Sequence, residues 1–188
     1  MSRWEPNGRD RLAQAALELY VERGYEQTTV AEIAKRAGLT ERTFFRHFAD
    51  KREVLFGGSE VLQDLLVGHL TEAPASAAPI DAVAVALEPL GGYFHERREQ
   101  ARRRQTVIAA NPELRERELI KLASLASALA EALRQRGAGE PTASLAAEAG
   151  VAVFRVAFQS WIGDSGERDL SQLIGEALTE LKAVTAGA

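Results

Sequence analysis

Between Gly24 and Thr40 the sequence sets a stop, a start, a turn and a second start, and no other stretch limits the fold so tightly. Ahead of Gly24, residues Leu12, Ala15, Ala16, Leu19 and Tyr20 recur at helical spacing, which predicts a helix from about Arg9 to Arg23 ended by that glycine. Thr29-Val30-Ala31-Glu32 has the form of a capping box and predicts a short second helix that stops near Ala37. Gly38 supplies a turn, and Thr40 is the N-cap of a third helix through about Phe48. With Ala34 small enough for close helix contact, these elements have helix-turn-helix spacing.

The rest of the chain is also helical in pattern, with no alternating strand signal, so the fold class is all-α with about nine helices. Asp50 is placed to cap a long apolar fourth helix through Val54, Leu55, Val61, Leu62, Leu65 and Leu66. Thr71–Pro79 reads as a loop, followed by a helix over 80–88, an interruption at Pro89, Gly91 and Gly92, and a helix from Tyr93 to Ala109. Asn111-Pro112 opens a long helix to about Arg136, and two more helices span about 142–162 and 170–184. The expected division is a three-helix head, 1–53, and a helical body, 54–188.

Absence of cysteine removes disulfide frameworks, thiolate metal sites and cysteine nucleophiles. The N-terminal residues lack an apolar signal stretch and the apolar run VAVF is too short to span a bilayer, which predicts a cytoplasmic location. The net charge of −4 argues against a chain coated all over by nucleic acid. Residues 1–53 nevertheless carry 10 Lys and Arg against 9 Asp and Glu, and a near-neutral module with a local basic patch still binds DNA.

That patch is TERTFFRHFADK, Thr40 to Lys51. On a helical wheel Phe44, Phe45 and Phe48 share one arc, and Arg42, Thr43, Arg46 and His47 fall opposite. The expectation is an aromatic anchor on the first two helices with a donor face outward, where Arg42 or Arg46 pairs with guanine and Thr43 meets a thymine methyl or a phosphate. Thr29, Thr40 and Lys51 stand at helix N-termini, where side-chain donors suit phosphate oxygens. Read alone, the same stretch also fits a short surface helix with solvated charges.

TTVAEIAKRAGLTERTFFRHFADKREVLF resembles the N-terminal module of the TetR (tetracycline-repressor-like) family of bacterial transcription regulators, over about Arg9 to Leu55. The resemblance implies base or phosphate contacts for Glu41, Arg42, Thr43 and Phe45, and phosphate contacts for Thr29, Thr40, His47 and Lys51. Two positions depart from the family pattern. Phe45 stands where a tyrosine hydroxyl is common, which leaves packing or methyl contact. Arg42 replaces a small residue, which implies an altered sequence preference.

Beyond about Leu55 the chain resembles the family's ligand-binding and dimerisation domains in outline, and RRRQTVIAANPELRERELIKLASLASALAEALRQR is similar to a type associated with acyl-coenzyme A-like ligands. Tyr93, Phe94, Phe154, Phe158 and Trp161 either line an apolar ligand cavity, with His95 and Gln159 as polar contacts, or form ordinary core. Arg97, Arg98, Arg102, Arg103 and Arg104 either hold an anionic ligand or make a solvated, ion-paired face. His69 and His95 have no partners at metal spacing, so neither metal nor cofactor is assigned.

In the last two helices, Leu145, Ala149, Val153 and Val156, then Leu170, Leu173, Ile174, Ala177, Leu178 and Leu181, suit a two-fold four-helix interface or a monomer core. The resemblance implies the homodimer, a double-stranded DNA operator and an unknown small effector. No phosphate loop, His-Glu-x-x-His or Gly-x-Ser-x-Gly motif points to an enzyme. The expected function is a sequence-specific repressor released from a palindromic operator by a small ligand. A ligand-dependent activator, or a helical lipid- or acyl-binding protein without DNA function, stands as the alternative.

Overall fold

The computed structural model describes residues 7–164 and 168–187. Among them are ten α-helices and one 3-10 turn, and no strand. The first helix, α1 (Gly8–Arg23), is capped by Asn7 and ends at Gly24, whose φ of 92° a side-chain-bearing residue rarely adopts. In α2 (Val30–Arg36) both halves of the Thr29–Glu32 capping box are formed. The helix α3 (Glu41–His47) starts at Thr40 and stops because Phe48 turns extended.

The expected long fourth helix is replaced by two elements. Asp50 does act as a cap, accepting from the backbone N–H groups of Arg52 (2.8 Å) and Glu53 (3.0 Å), but it starts a 3-10 turn over Glu53–Phe56. Gly57 and Gly58 then part this turn from α4 (Ser59–Glu72).

A second correction lies farther along. After α5 (Pro79–Leu87) the anticipated interruption is itself helical, as the short α6 (Leu90–Phe94), and the break comes at Glu96, in the left-handed region at φ 61°. Tyr93 and Phe94 therefore end α6 rather than begin the next helix. Gly91 sits so close to Ser171 that a Cβ would fall 1.8 Å from its Oγ, so this glycine marks close packing and not a stop. The remaining helices are α7 (Arg98–Ala110), α8 (Pro112–Gln135), α9 (Thr142–Gly163) and α10 (Leu170–Ala186). Part of the expected loop before α10 lies outside the described residues.

Contacts divide the chain into two compact units. The first comprises 1–59 and 103–119, and the second 60–102 and 120–188. In the first, Leu12, Leu19, Ile33, Phe44, Phe48, Val107, Ile108 and Leu114 share one core. Three of these lie beyond the expected limit at residue 53, because a head of one longer helix and two very short ones has too little apolar surface of its own. In the second unit the core runs through Leu66, Leu87, Leu90, Leu129, Leu133, Phe154, Trp161 and Leu173.

Among the described residues α9 is the one helix long and apolar enough to cross a membrane by length and composition. Its buried residues, including Ala147, Val151, Phe154 and Trp161, pack in the second unit's core. Its C-terminal end is held by Arg102, which donates to Ile162 O (2.7 Å) and Asp164 O (3.1 Å), satisfying carbonyls that the helix itself leaves without donors.

Candidate nucleic-acid interface

The helix α3 is two turns long, too short to hold its shape alone, and its position depends on what it buries. Phe44 is 0% exposed, and its ring lies 5.5 Å from that of Phe48, which is also buried. Phe45 is not part of this anchor. It is 56% exposed and meets only the edge of Phe44, in a T-shaped pair at 5.5 Å. On the wheel it stands at the rim of the apolar arc beside Glu41, and in the folded head that rim is turned outward.

The outward side of α3 thus offers Glu41, Arg42, Phe45 and Arg46, all exposed, with Thr43 and His47 half-buried. The charges on this face differ from those elsewhere in the head. Arg23 pairs with Glu32 (2.8 Å), Arg36 with Glu22 (2.8 Å) and Glu18 (3.3 Å), and Arg52 with Asp50 (2.7 Å). Arg9 donates to Gly57 O, and Arg11 to Ala37 O. Between Gly8 and Ser59 that leaves Arg42 and Arg46, and neither has a partner among the described residues.

Two of the carboxylates facing those paired arginines, Glu22 and Glu32, are shifted accordingly. The Glu22 carboxyl is held below the usual range by its hydrogen bond from Arg36. Glu32 is held low by the backbone N–H of Thr29, then by that residue's hydroxyl, then by Arg23. At Glu22 and Glu32 negative charge is thus held by local donors, whereas Arg42 and Arg46 on α3 have no carboxylate partner among the described residues.

The remaining candidates have internal partners. The Thr29 hydroxyl donates to Glu32 (2.9 Å) and accepts from its N–H (3.3 Å). Thr40 Oγ1 accepts from Thr43 N–H (3.2 Å) and lies 3.0 Å from Thr43 Oγ1. Lys51 lies inward: its ammonium donates to Tyr25 O (2.9 Å) and Thr28 O (3.1 Å) and stands 4.2 Å from the centroid of the Tyr25 ring. Tyr20 closes the same knot by donating to Lys51 O at 2.8 Å.

Sequence reasoning gave no role in this head to Arg9, Arg11 or Tyr25, placed Tyr20 only on the apolar face of the first helix, and missed Arg104 and Arg117 altogether. Arg104 donates to Leu55 O (2.7 Å) over the Phe56 ring, and Arg117 pairs with Glu53 (2.8 Å) and Asp50 (3.5 Å). Helical periodicity carries no signal for such pairings, since the partners are as far apart as 67 positions, Asp50 to Arg117.

In the second unit Phe94, Phe154, Phe158 and Trp161 do come together, with ring centroids 5.4–6.3 Å apart, and Tyr93 stacks edge-on to Phe94 at 5.0 Å. At such distances the rings touch and leave no gap between themselves. Phe94 and Phe158 remain half-buried, whereas His95 and Gln159 are exposed. The arginine run does not form one anion site. Arg97 lies over Tyr93, Arg98 over Trp161 and beside Asp164 (3.7 Å), Arg102 caps α9, and Arg104 belongs to the first unit.

The apolar residues assigned to a two-fold interface also divide. Val153, Leu170, Leu173 and Ile174 are buried in the unit's own core. Leu145 (66%) and Val156 (53%) are exposed, and Ala149, Ala177, Leu178 and Leu181 are half-buried.

Comparison with known proteins gives matches over both units. Residues 12–56 match the family described as bacterial regulatory proteins, tetR family, and residues 77–186 match that described as MftR C-terminal domain. The putative mycofactocin biosynthesis transcriptional regulator MftR of Mycobacterium tuberculosis is 25% identical over 169 residues, covering 88% of this chain and 85% of that protein. The HTH-type transcriptional regulator TcmR of Streptomyces glaucescens is 38% identical over 88 residues, covering 47% of this chain and 39% of that protein, so the match spans less than half of that relative. Among solved structures, the regulator FadR from Bacillus subtilis in complex with stearoyl-CoA superposes with a TM-score of 0.62 at 22% identity, over 92% of this chain and 96% of that one. At that identity the likeness is one of fold.

Proposed function

The chain belongs to the tetR family of bacterial regulatory proteins, and we propose that it is a cytoplasmic repressor whose dimer reads a palindromic operator through α3 and lets go when a small ligand binds the second unit. The observation that carries this reading is the pair of exposed guanidiniums, Arg42 and Arg46, left without partners among the described residues while the other arginines between Gly8 and Ser59 are engaged. Arginine presents two parallel N–H groups that match O6 and N7 of guanine in the major groove, and a helix at i, i+4 delivers two of them to one side. Glu41 then accepts from a cytosine amino group, and Phe45 covers a thymine methyl. Thr43 and His47 reach the flanking phosphates. Thr29, Thr40 and Lys51 act mainly by holding α2, α3 and the following turn in place, and any phosphate contact they make uses donors or backbone that remain.

For the ligand, the half-buried edges of Phe94 and Phe158 favour an apolar or amphipathic molecule. The stearoyl-CoA in the Bacillus subtilis structure makes a long-chain acyl-coenzyme A the first compound to try. A ligand releases DNA only by as much as it prefers the non-binding state, so release must saturate at a level set by that preference.

The test is equilibrium binding of the full chain to duplexes selected from the genome, followed by fluorescence anisotropy. Arg42→Ala with Arg46→Ala is expected to lower operator affinity by about a hundredfold or more, since each bidentate pair discriminates by about 1–3 kcal/mol. Stearoyl-CoA is then titrated into the wild-type complex and is expected to free the DNA. A folded double variant that binds selected fragments as tightly as wild type would sink the DNA-reading role. Undiminished binding in saturating acyl-coenzyme A would remove that ligand class alone.

A further inference from the structure

Resting on the DNA-reading role of α3, we propose that Arg9 and Arg11, in the first turn of α1, are positioning residues that clamp the two ends of the reading helix. Each binds a backbone carbonyl on one side of α3. At the entry, Arg11 Nη2 donates to the carbonyl of Ala37, the C-cap residue of α2, whose oxygen has no helical donor to accept from. At the exit, Arg9 Nη2 donates to Gly57 O at 2.9 Å while its guanidinium stands 5.4 Å from the centroid of the Phe48 ring.

Two glycines sit against these two arginines. A Cβ on Gly38 would fall 2.9 Å from Arg11 Nη2, and Gly38 also has φ +66°. A Cβ on Gly57 would fall 2.9 Å from the Phe48 ring and 3.4 Å from Arg9 Nε. Gly8 completes the contact, since a Cβ there would meet His47 Nε2 at 3.4 Å. The first turn of α1 therefore touches the turn before α3, the last residue of α3 and the turn after it.

A clamp is needed because the anchor leaves one motion free. Phe44 and Phe48 lie along one line of the helix surface, and they fix its depth and its direction. Rocking about that line would swing the opposite side, with Arg42 and Arg46, sideways across a groove. Base edges tolerate little of this, because a bidentate guanidinium–guanine pair requires both N–H groups in plane. Phosphates accept donors over a wider range. Arg9 and Arg11 thus act on the choice between an operator and random DNA more than on attraction to DNA as such.

An operator is first selected from random duplexes with the wild-type chain. If no sequence is enriched, the DNA-reading role falls and the clamp with it, whereas the outcomes below bear on the clamp alone. Arg11→Ala is expected to bind the operator about tenfold more weakly, the size of one mismatched base pair. Its affinity for random duplex should stay within about twofold, with an unchanged slope of log K against log salt, because a group that touches no phosphate releases no counterion. In an Arg42→Ala background the same substitution should cost about threefold or less, since residues acting through one another are not additive.

Equal losses on operator and random DNA would overturn the clamp, as would full additivity with Arg42→Ala. A slope shallower by about 0.9 would identify a direct phosphate contact instead. Arg9→Lys and Arg11→Lys, which keep the charge and one donor, are measured beside the alanine variants and decide the matter if those do not fold. Their expected signature is the same loss of operator preference at smaller size, and unchanged preference in both would overturn the proposal.

Discussion

At the scale of single residues, two adjacent phenylalanines in α3 have opposite roles. Phe44 is fully enclosed, and Phe44→Ala should destabilise the fold by about 3–5 kcal/mol, the usual cost of removing a buried ring and leaving a cavity. Phe45→Ala removes an exposed ring and should change stability by less than about 0.5 kcal/mol while weakening operator binding. Chemical denaturation and DNA binding measured on both variants separate the two roles, and a Phe45→Ala protein as unstable as Phe44→Ala would contradict the outward placement. The wheel made Phe44 and Phe48 legible as core and Arg42 and Arg46 as surface. It could not place Phe45, because a residue at the edge of an apolar arc is assigned by what packs beside it, and periodicity does not record that. Lys51 shows the same limit: its charge suggested a phosphate, but its length lets it turn inward to two carbonyls and the face of Tyr25.

At the scale of elements, the local starts of Thr29, Thr40 and Asp50 were all legible, since a cap is a contact between residues two or three positions apart. What followed Asp50 was not, because a 3-10 turn and a helix share the same apolar spacing over four residues. The break at Glu96 has no sequence signal of the kind glycine gives. The Asp50 cap has a pH consequence. Burial pushes its carboxyl up, but the hydrogen bonds from the Arg52 side chain and from the N–H groups of Glu53 and Arg52 outweigh this and hold it below the ordinary value. A carboxyl with a depressed folded-state pKa contributes stability that is complete above the unfolded value, about 3.9, and is lost as pH falls through the folded one. Wild-type stability should therefore decline below about pH 4, where the unfolded chain takes up the proton first. Asp50→Asn should be less stable at pH 7 and show a flatter acid limb in denaturant melts between about pH 5 and 2. Glu22 and Glu32 shift in the same direction, so the limb should flatten without vanishing.

At the scale of the whole molecule, the packing does not follow the division expected near residue 53. Val107, Ile108 and Leu114 complete the core around Phe44, and Arg104 and Arg117 hold the turn after α3, so segments of α7 and α8 are built into the reading unit. Such long-range membership was illegible, because each of these helices shows an ordinary amphipathic pattern whatever it packs against. The apolar residues expected between copies divide by burial. Of the residues on α9 and α10 that suited it, the buried ones serve the unit's own core, and the exposed Leu145 and Val156 are what a partner would cover. They lie eleven positions apart, three helical turns, and so share one face of α9 with Ala149 and Ala152 between them. Small residues between two larger ones let a second helix come close, and a two-fold axis would set the same face against itself. Placing a glutamate at each end, Leu145→Glu with Val156→Glu, would then bring like charges into an apolar contact on both copies at once, at a cost that a modest interface cannot absorb. Light scattering should find the wild type dimeric and this variant monomeric, with the helical circular dichroism of each chain little changed because neither position is in the core. Operator affinity should fall toward the level of random DNA, since two half-sites one helical turn apart are read strongly only when both heads are held in one particle. A monomeric variant that kept full operator affinity would show that a single head suffices, and a variant that stayed dimeric would move the interface off this face of α9.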